Sequence, residues 1–263
     1  MKAYSHILAS KKQKRKLFSV LIDPDKQDKN SLLKTIQIAE SSKVDFFFLG
    51  GSLLTYDNLN DCIVTIKKKS KIPVILFPGN TMQINHKADG ILFLSLISGR
   101  NAEMLIGKQV ITAPILKQSS LEVMSTGYML IDGGKQTTVS YISNTTPIPS
   151  NKPAISACTA IAGEMLGLKL IFMDAGSGAK NPVSLEMIET VSKSVDIPLI
   201  VGGGIKSADQ ARKSCKAGAD IIVVGNAIEK NSNLISEISD AVHNIWYYEI
   251  FSRINCKNYI LNY

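Results

Sequence analysis

The feature that most restricts this chain is a series of eight short apolar runs in which the hydrophobic residues are continuous rather than alternating. They are LFSVLID (17–23), VDFFFLGG (44–51), PVILFPG (73–79), DGILFLSL (89–96), GYMLIDGG (127–134), LKLIFMDAGSG (168–178), IPLIVGGG (197–204) and ADIIVVGN (219–226). A strand with one wet face alternates, whereas a strand buried on both faces reads as an unbroken apolar run, the pattern of parallel sheets covered by helices. Helical spacing fills most of the gaps, as in NSLLKTIQIAESS and SLEMIETVSKSV, where apolar residues recur every three or four positions. Asn30 or Ser31 is expected to cap the first of these helices, and Pro182 to open the second. Eight such units in roughly 250 residues predict a TIM (β/α)8 barrel. A doubly wound open sheet uses the same local elements, but no GxGxxG follows the first run. The glycine-rich turns gather instead after the sixth, seventh and eighth runs.

That placement bears on function. Parallel strands ending on one face deliver loops whose backbone N–H groups converge on an anion, and glycine lets a phosphate approach the backbone without meeting a Cβ. VGGGIKSADQ opens a helix at Ser207, whose N-terminal dipole adds to anion binding, and VGNAI repeats the device after the last strand. One such turn alone is equally well explained by tight strand-to-helix geometry. The three together predict a phosphate-binding site at the C-terminal ends of strands 6–8.

Composition narrows the classes. Residues 1–243 are expected to form a single barrel domain, with 244–263 an aromatic-rich C-terminal tail. The tail is an extra helix packed on the barrel or, alternatively, a contact with another subunit or a membrane surface. Four scattered cysteines, without a CxxC pair or a histidine cluster, argue against a disulfide framework and a zinc site. The first residues lack the apolar centre of a signal peptide and no run reaches the length of a membrane span, so a soluble, cytoplasmic protein is expected. The net charge of +8 suits small anions, anionic surfaces or nucleic acid. No basic helix interleaved with aromatics supports nucleic acid, and KKQKRK and KKKSK read as solvated surfaces.

Other strand ends supply candidates. Asp23 and Asp25 follow the first strand, and Ser52 and Thr55 the second. Hard oxygen donors of this kind suit magnesium, while Asp23 before Pro24 equally suits a simple Asx turn. Asp174 stands immediately before the glycine-rich loop, either as a base for the hydroxyl of a bound phosphate ester or as the residue that fixes that loop. Arg100 and Lys135 are the cations best placed for further anionic groups, with surface charge the alternative. His6, His86 and His243 fit no catalytic arrangement.

The ordered set LIDPDK, FLGGSLLT, PVILFPGN, ADGILFLSLISGRN, GYMLIDGGKQTTV, FMDAGSGAKNPV, IPLIVGGGIKS and GADIIVVGNAIE, spanning roughly Leu17 to Glu229, resembles the geranylgeranylglyceryl phosphate synthase family of prenyltransferases. The resemblance implies a magnesium-assisted barrel enzyme that alkylates sn-glycerol 1-phosphate with a polyprenyl diphosphate. It implies a magnesium site at Asp23 and Ser52. Glycerol 1-phosphate would be held by Phe172, Met173, Asp174, Ala175, Gly176, Ser177 and Gly178, with Gly203, Gly204, Gly225 and Asn226. Asp174 would be the catalytic base, at a position where many members carry glutamate. A homo-oligomer, dimer or larger, and a transient membrane-surface contact are expected, with no nucleic acid partner. A phosphate-sugar isomerase or lyase on the same scaffold, or a non-catalytic phosphate-metabolite-binding protein, are the competing readings.

Overall fold

A computed structural model of the chain describes residues 2–56 and 58–245. The tail expected over 244–263 therefore lies outside the described residues from Trp246 onward. Eight parallel strands close into a barrel in sequence order: β1 (Leu17–Ile22), β2 (Phe46–Leu49), β3 (Val74–Leu76), β4 (Gly90–Leu96), β5 (Glu122–Leu130), β6 (Leu170–Asp174), β7 (Leu199–Gly202) and β8 (Ile221–Val224). Closure is made by β1, which pairs with β2 on one side and β8 on the other. The helices are α1 (Ala3–Lys12), α2 (Lys29–Ser41), α3 (Leu59–Lys69), α4 (Lys108–Lys117), α5 (Thr138–Ser143), α6 (Pro153–Met165), α7 (Leu185–Ser192), α8 (Ala208–Lys216), α9 (Asn226–Lys230) and α10 (Leu234–His243).

The continuous apolar runs resolve into two faces once the strand period of two is applied. Phe18, Phe47, Met129, Met173, Val201 and Ile222 point outward into a core shared with helix residues such as Ile36, Ile63 and Ile188. Leu17, Phe46, Phe48, Leu92, Phe172, Ile200 and Val223 point inward and fill the barrel. Each large side chain buried this way contributes roughly 1.5–3 kcal/mol. Inside the barrel, α1 adds Ala3 and Ile7 to the inner core and so stops one end. Basic residues of the KKQKRK block then pair with acids: Lys11 and Lys16 with Asp220 at 2.8 and 3.4 Å, and Arg15 with Asp45 at 2.8 Å. His6 and His243 reach the same Asp45 carboxylate. The block is thus partly an anchor, not only a solvated surface.

Four local expectations are corrected. Asp28, not Asn30 or Ser31, caps α2, its Oδ1 accepting the Asn30 and Ser31 N–H groups at 2.8 and 2.9 Å. Ser184 caps α7, so Pro182 lies in the loop before the cap. The segment between β3 and β4 holds turns and no helix, because FPGNTMQINHKAD contains no apolar stripe at helical spacing. Strand β5 begins at Glu122, five residues before the apolar run at Gly127, because its early residues pair with β4 in spite of their polarity.

Candidate active site

The C-terminal ends of the eight strands, or the residues that directly follow them, line one cavity of about 970 Å³. The side chain that most distinguishes it is Asp174, the last residue of β6. Strand parity turns Phe172 and Asp174 inward, while Met173 and Ala175 face the helix layer and do not line the cavity. Of the expected binding segment, those two residues therefore turn their side chains away from the cavity. The Asp174 carboxylate is held at both oxygens: Oδ2 accepts the Tyr128 hydroxyl at 2.7 Å and Oδ1 accepts the Gly176 N–H at 2.6 Å. Burial pushes its pKa up, and the bonds from Tyr128 and Gly176 pull it back only in part. Burial likewise raises the Tyr128 phenol well above its ordinary value, with the neighbouring Asp174 charge adding to it.

Beyond Asp174 the three glycine loops meet. Ser177 donates to Asn226 Oδ1 at 2.8 Å, tying the loop after β6 to the start of α9. Among the described residues, the backbone N–H groups of Ser177, Gly178, Gly204 and Gly225 have no hydrogen-bond acceptor. Such donors from three successive strand ends form a ready anion cradle. Gly203 and Gly204 have φ of +77° and +70°, a region that side-chain-bearing residues rarely adopt. A Cβ on Gly204 would stand 2.6 Å from the Asn181 carbonyl oxygen, so this glycine is needed for loop packing as well as for access. Gly225 has φ of −120°, and a Cβ there would meet Leu21 at 3.3 Å. Ser207 caps α8, its hydroxyl accepting the Gln210 N–H.

After β1, the neighbour of β8, Asp23 opens an Asx turn, Oδ1 accepting the Asp25 N–H at 3.2 Å, and also faces the cavity. The Gly51-Ser52 turn lies against it, since a Cβ on Gly51 would stand 3.2 Å from Asp23 Oδ1. The other oxygen, Oδ2, holds the Lys26 ammonium at 3.1 Å, and Lys26 reaches Glu229 at 3.6 Å. Burial opposes the Lys26 charge, but the two carboxylates outweigh it and raise its pKa. Among the described residues no group of three or more His, Cys, Asp or Glu could hold a metal unaided. The donors present, one cavity-facing carboxylate beside a serine turn, fit magnesium, which takes one or two protein oxygens and leaves the rest to water and phosphate. Asp25 instead accepts the Thr55 N–H and hydroxyl and the Tyr56 N–H, so Asp25 and Thr55 brace the loop.

Several contributors were not singled out from sequence. Tyr128 sat unremarked inside an apolar run; its register partner is Phe172, which gives both inward parity. Gln83 is buried and ties two loops together, donating to the Gly51 carbonyl at 2.8 Å and accepting the Gly51 and Gly79 N–H groups. Of the two expected cations, Lys135 lines the cavity, whereas Arg100 turns back to the Gly99 carbonyl and does not. A second, apolar arm of the cavity runs past Ile84, Phe93, Met104, Leu116, Val139 and Ile142, between β4 and the helices α4 and α5.

Fold and cavity define a (β/α)8-barrel protein whose functional face carries glycine loops after β6, β7 and β8. Residues 10–243 match the model of the PcrB family, and the chain belongs to that family. It is 55% identical over 242 residues to a geranylgeranylglyceryl phosphate synthase of Chitinophaga pinensis, covering 92% of this chain and 96% of that protein. It is 54% identical over 228 residues to the synthase of the same name from Spirosoma linguale, covering 87% and 92%. Its fold is similar to the crystal structure of (S)-3-O-geranylgeranylglyceryl phosphate synthase from Thermoplasma acidophilum in complex with sn-glycerol-1-phosphate. That likeness has a TM-score of 0.87 and 30% identity, covering 93% of this chain and 99% of the other.

Proposed function

We propose that this chain is a prenyltransferase that joins the C3 hydroxyl of sn-glycerol 1-phosphate to a polyprenyl diphosphate, geranylgeranyl diphosphate in particular, and releases diphosphate. The observation that carries the proposal is the conjunction in one cavity of unpaired backbone donors from three glycine loops with the buried carboxylate of Asp174. The N–H groups of Ser177, Gly178, Gly204 and Gly225 hold the phosphate, with the α8 N-terminus behind them. This leaves the glycerol hydroxyls directed toward Asp174, which accepts the C3 proton as the oxygen attacks C1 of the prenyl chain and the C1–oxygen bond to diphosphate breaks. The apolar arm shelters the prenyl tail from water, and the barrel's main contribution is to align the two reactants.

Magnesium, held by Asp23 and Ser52, would neutralise charge on the diphosphate leaving group. Asp23 and the Gly51-Ser52 turn follow β1 and β2, beside the β8 glycine loop, which supports neighbouring places for the two phosphorylated substrates, the diphosphate on the β1–β2 side. The outer side of α4 supports a homo-oligomer: Val110, Ile111 and Ile115 stand in solvent on a helix whose inner side, Thr112 and Leu116, closes the cavity. No helix among the described residues is long and apolar enough to cross a membrane.

The test is incubation of the purified protein with labelled sn-glycerol 1-phosphate, magnesium and prenyl diphosphates of several lengths, beside a panel of sugar phosphates. The expected outcome is a labelled, solvent-extractable ether with geranylgeranyl diphosphate and no turnover of the sugars. Conversion of a sugar phosphate, or binding of glycerol phosphate without turnover, would point to the isomerase or binding-protein readings.

A further inference from the structure

A phosphate monoester brings a charge of roughly −1.5 to −2 at neutral pH, and neutral N–H dipoles do not cancel it. The glycine loops therefore call for a cation from the chain. Two lysines at the cavity are already engaged. Lys26 lies between Asp23 and Glu229, and Lys206 donates to the Lys180 carbonyl at 2.9 Å.

Lys135 is differently placed. The loop between β5 and α5, which carries it, is pressed onto the loop after β6. The Asn181 N–H donates to the Gly133 carbonyl at 3.0 Å. A Cβ on Gly133 would stand 2.6 Å from Ala179 Cβ, and one on Gly176 would stand 2.8 Å from the Thr137 side chain. Neither contact leaves room for a side chain, so the two loops form a single wall. The Asx turn from Asp132 to the Gly134 N–H then directs the next residue across that wall. Lys135 Nζ ends 3.7 Å from the point where a Cβ of Gly178 would be, and Asn226 Nδ2 lies 3.8 Å from the same point. The Asn226 carbonyl oxygen is occupied by Ser177, so its amide group is free to donate. Among the described residues Lys135 has no carboxylate or hydrogen-bond partner of its own.

We infer that Lys135 is a phosphate ligand: its ammonium closes the glycerol phosphate site from the β5 side, over Gly178, and supplies the charge the glycine loops lack. The inference rests on the proposal that those loops hold the phosphate. Phosphate chemistry is common to both substrates, and the position over Gly178 and Asn226 assigns Lys135 to glycerol phosphate instead of the prenyl diphosphate.

The experiment uses the full-length protein with Lys135→Gln, Lys135→Arg and, as a reference for the site itself, Asn226→Ala. Calorimetric titration with sn-glycerol 1-phosphate is combined with the KM for each substrate, and the melting temperature checks the fold. Lys135→Gln is expected to weaken glycerol phosphate binding roughly ten- to a hundredfold, the range for losing a hydrogen bond to a charged group. The diphosphate KM and the melting temperature should stay near wild type, and arginine should restore most of the affinity. Unchanged glycerol phosphate affinity in Lys135→Gln alongside a loss in Asn226→Ala would overturn the role of Lys135 and leave the site standing. A rise confined to the diphosphate KM would also overturn it. No loss in either variant would remove the phosphate site from these loops, and the inference with it.

Discussion

Asp174 must be ionised to accept a proton, yet it sits where burial disfavours ionisation. Its working pKa is therefore higher than that of an ordinary aspartate, closer to where a general base is effective. As the proposed base, Asp174 is active above that pKa, and turnover is expected to fall as pH drops through it. The Tyr128 hydroxyl bond favours the ionised form, and removing it raises the pKa further. For Tyr128→Phe we expect the acid limb of the kcat profile to move to higher pH, with neutral-pH turnover down roughly tenfold and glycerol phosphate affinity little changed. An acid limb that stays in place would separate Tyr128 from the base. For Asp174→Asn we expect turnover to fall at least ~100-fold, since general base catalysis contributes about 10²–10⁴. Binding of glycerol phosphate should be retained, and near-normal turnover in the folded variant would remove Asp174 from the mechanism. Asp174 was visible in the sequence because it adjoins AGSGA. Tyr128 was not, because its partner lies on another strand and only the β5–β6 register brings the two together.

At the scale of elements, the strand ends were legible and the loops between them much less so. Continuous apolar runs marked all eight strands, since burial on both faces leaves no other pattern. The same continuity concealed which residues face inward, and so Met173 and Ala175 were expected beside the ligand although parity sends them to the helix layer. Gln83 escaped notice for a related reason, being a lone polar residue in a loop with no helix. It holds the Gly51-Ser52 turn in place through three hydrogen bonds. Gln83→Leu would leave those partly buried backbone groups without their side-chain partner, at a cost of about 1 kcal/mol for each bond lost. We expect a lower melting temperature and a higher KM for the prenyl diphosphate, with glycerol phosphate affinity conserved; an equal loss for both substrates would argue against separate sites. Asp23→Ala should likewise impair use of the diphosphate more than glycerol phosphate binding, and full activity in excess chelator would contradict a magnesium requirement.

Across the whole molecule, the barrel separates its tasks between its ends. The closed end is stability: α1 fills it, and Asp45 and the buried Asp220 gather the cations of the N-terminal segment. Asp220 also accepts the Leu199 N–H at 3.0 Å, so Asp220→Ala strands both the ammonium partners and a strand donor. That variant should be less stable by roughly 3–5 kcal/mol in thermal or denaturant unfolding, with substrate affinities unchanged wherever it remains folded. The open end carries the proposed chemistry: glycine loops after β6 to β8 with Asp174 among them, the acidic turn after the neighbouring β1, and apolar residues of β4, α4 and α5. The account stands on one bond, formed from the glycerol oxygen to the prenyl carbon within that cavity. The most direct measurement is mass spectrometry of the product made from sn-glycerol 1-phosphate carrying a heavy oxygen isotope in its C3 hydroxyl, with geranylgeranyl diphosphate and magnesium. The predicted result is an ether lipid that retains the isotope, together with unlabelled diphosphate. Recovery of labelled glycerol phosphate with no ether, the prenyl diphosphate intact or hydrolysed to its alcohol, would contradict the account.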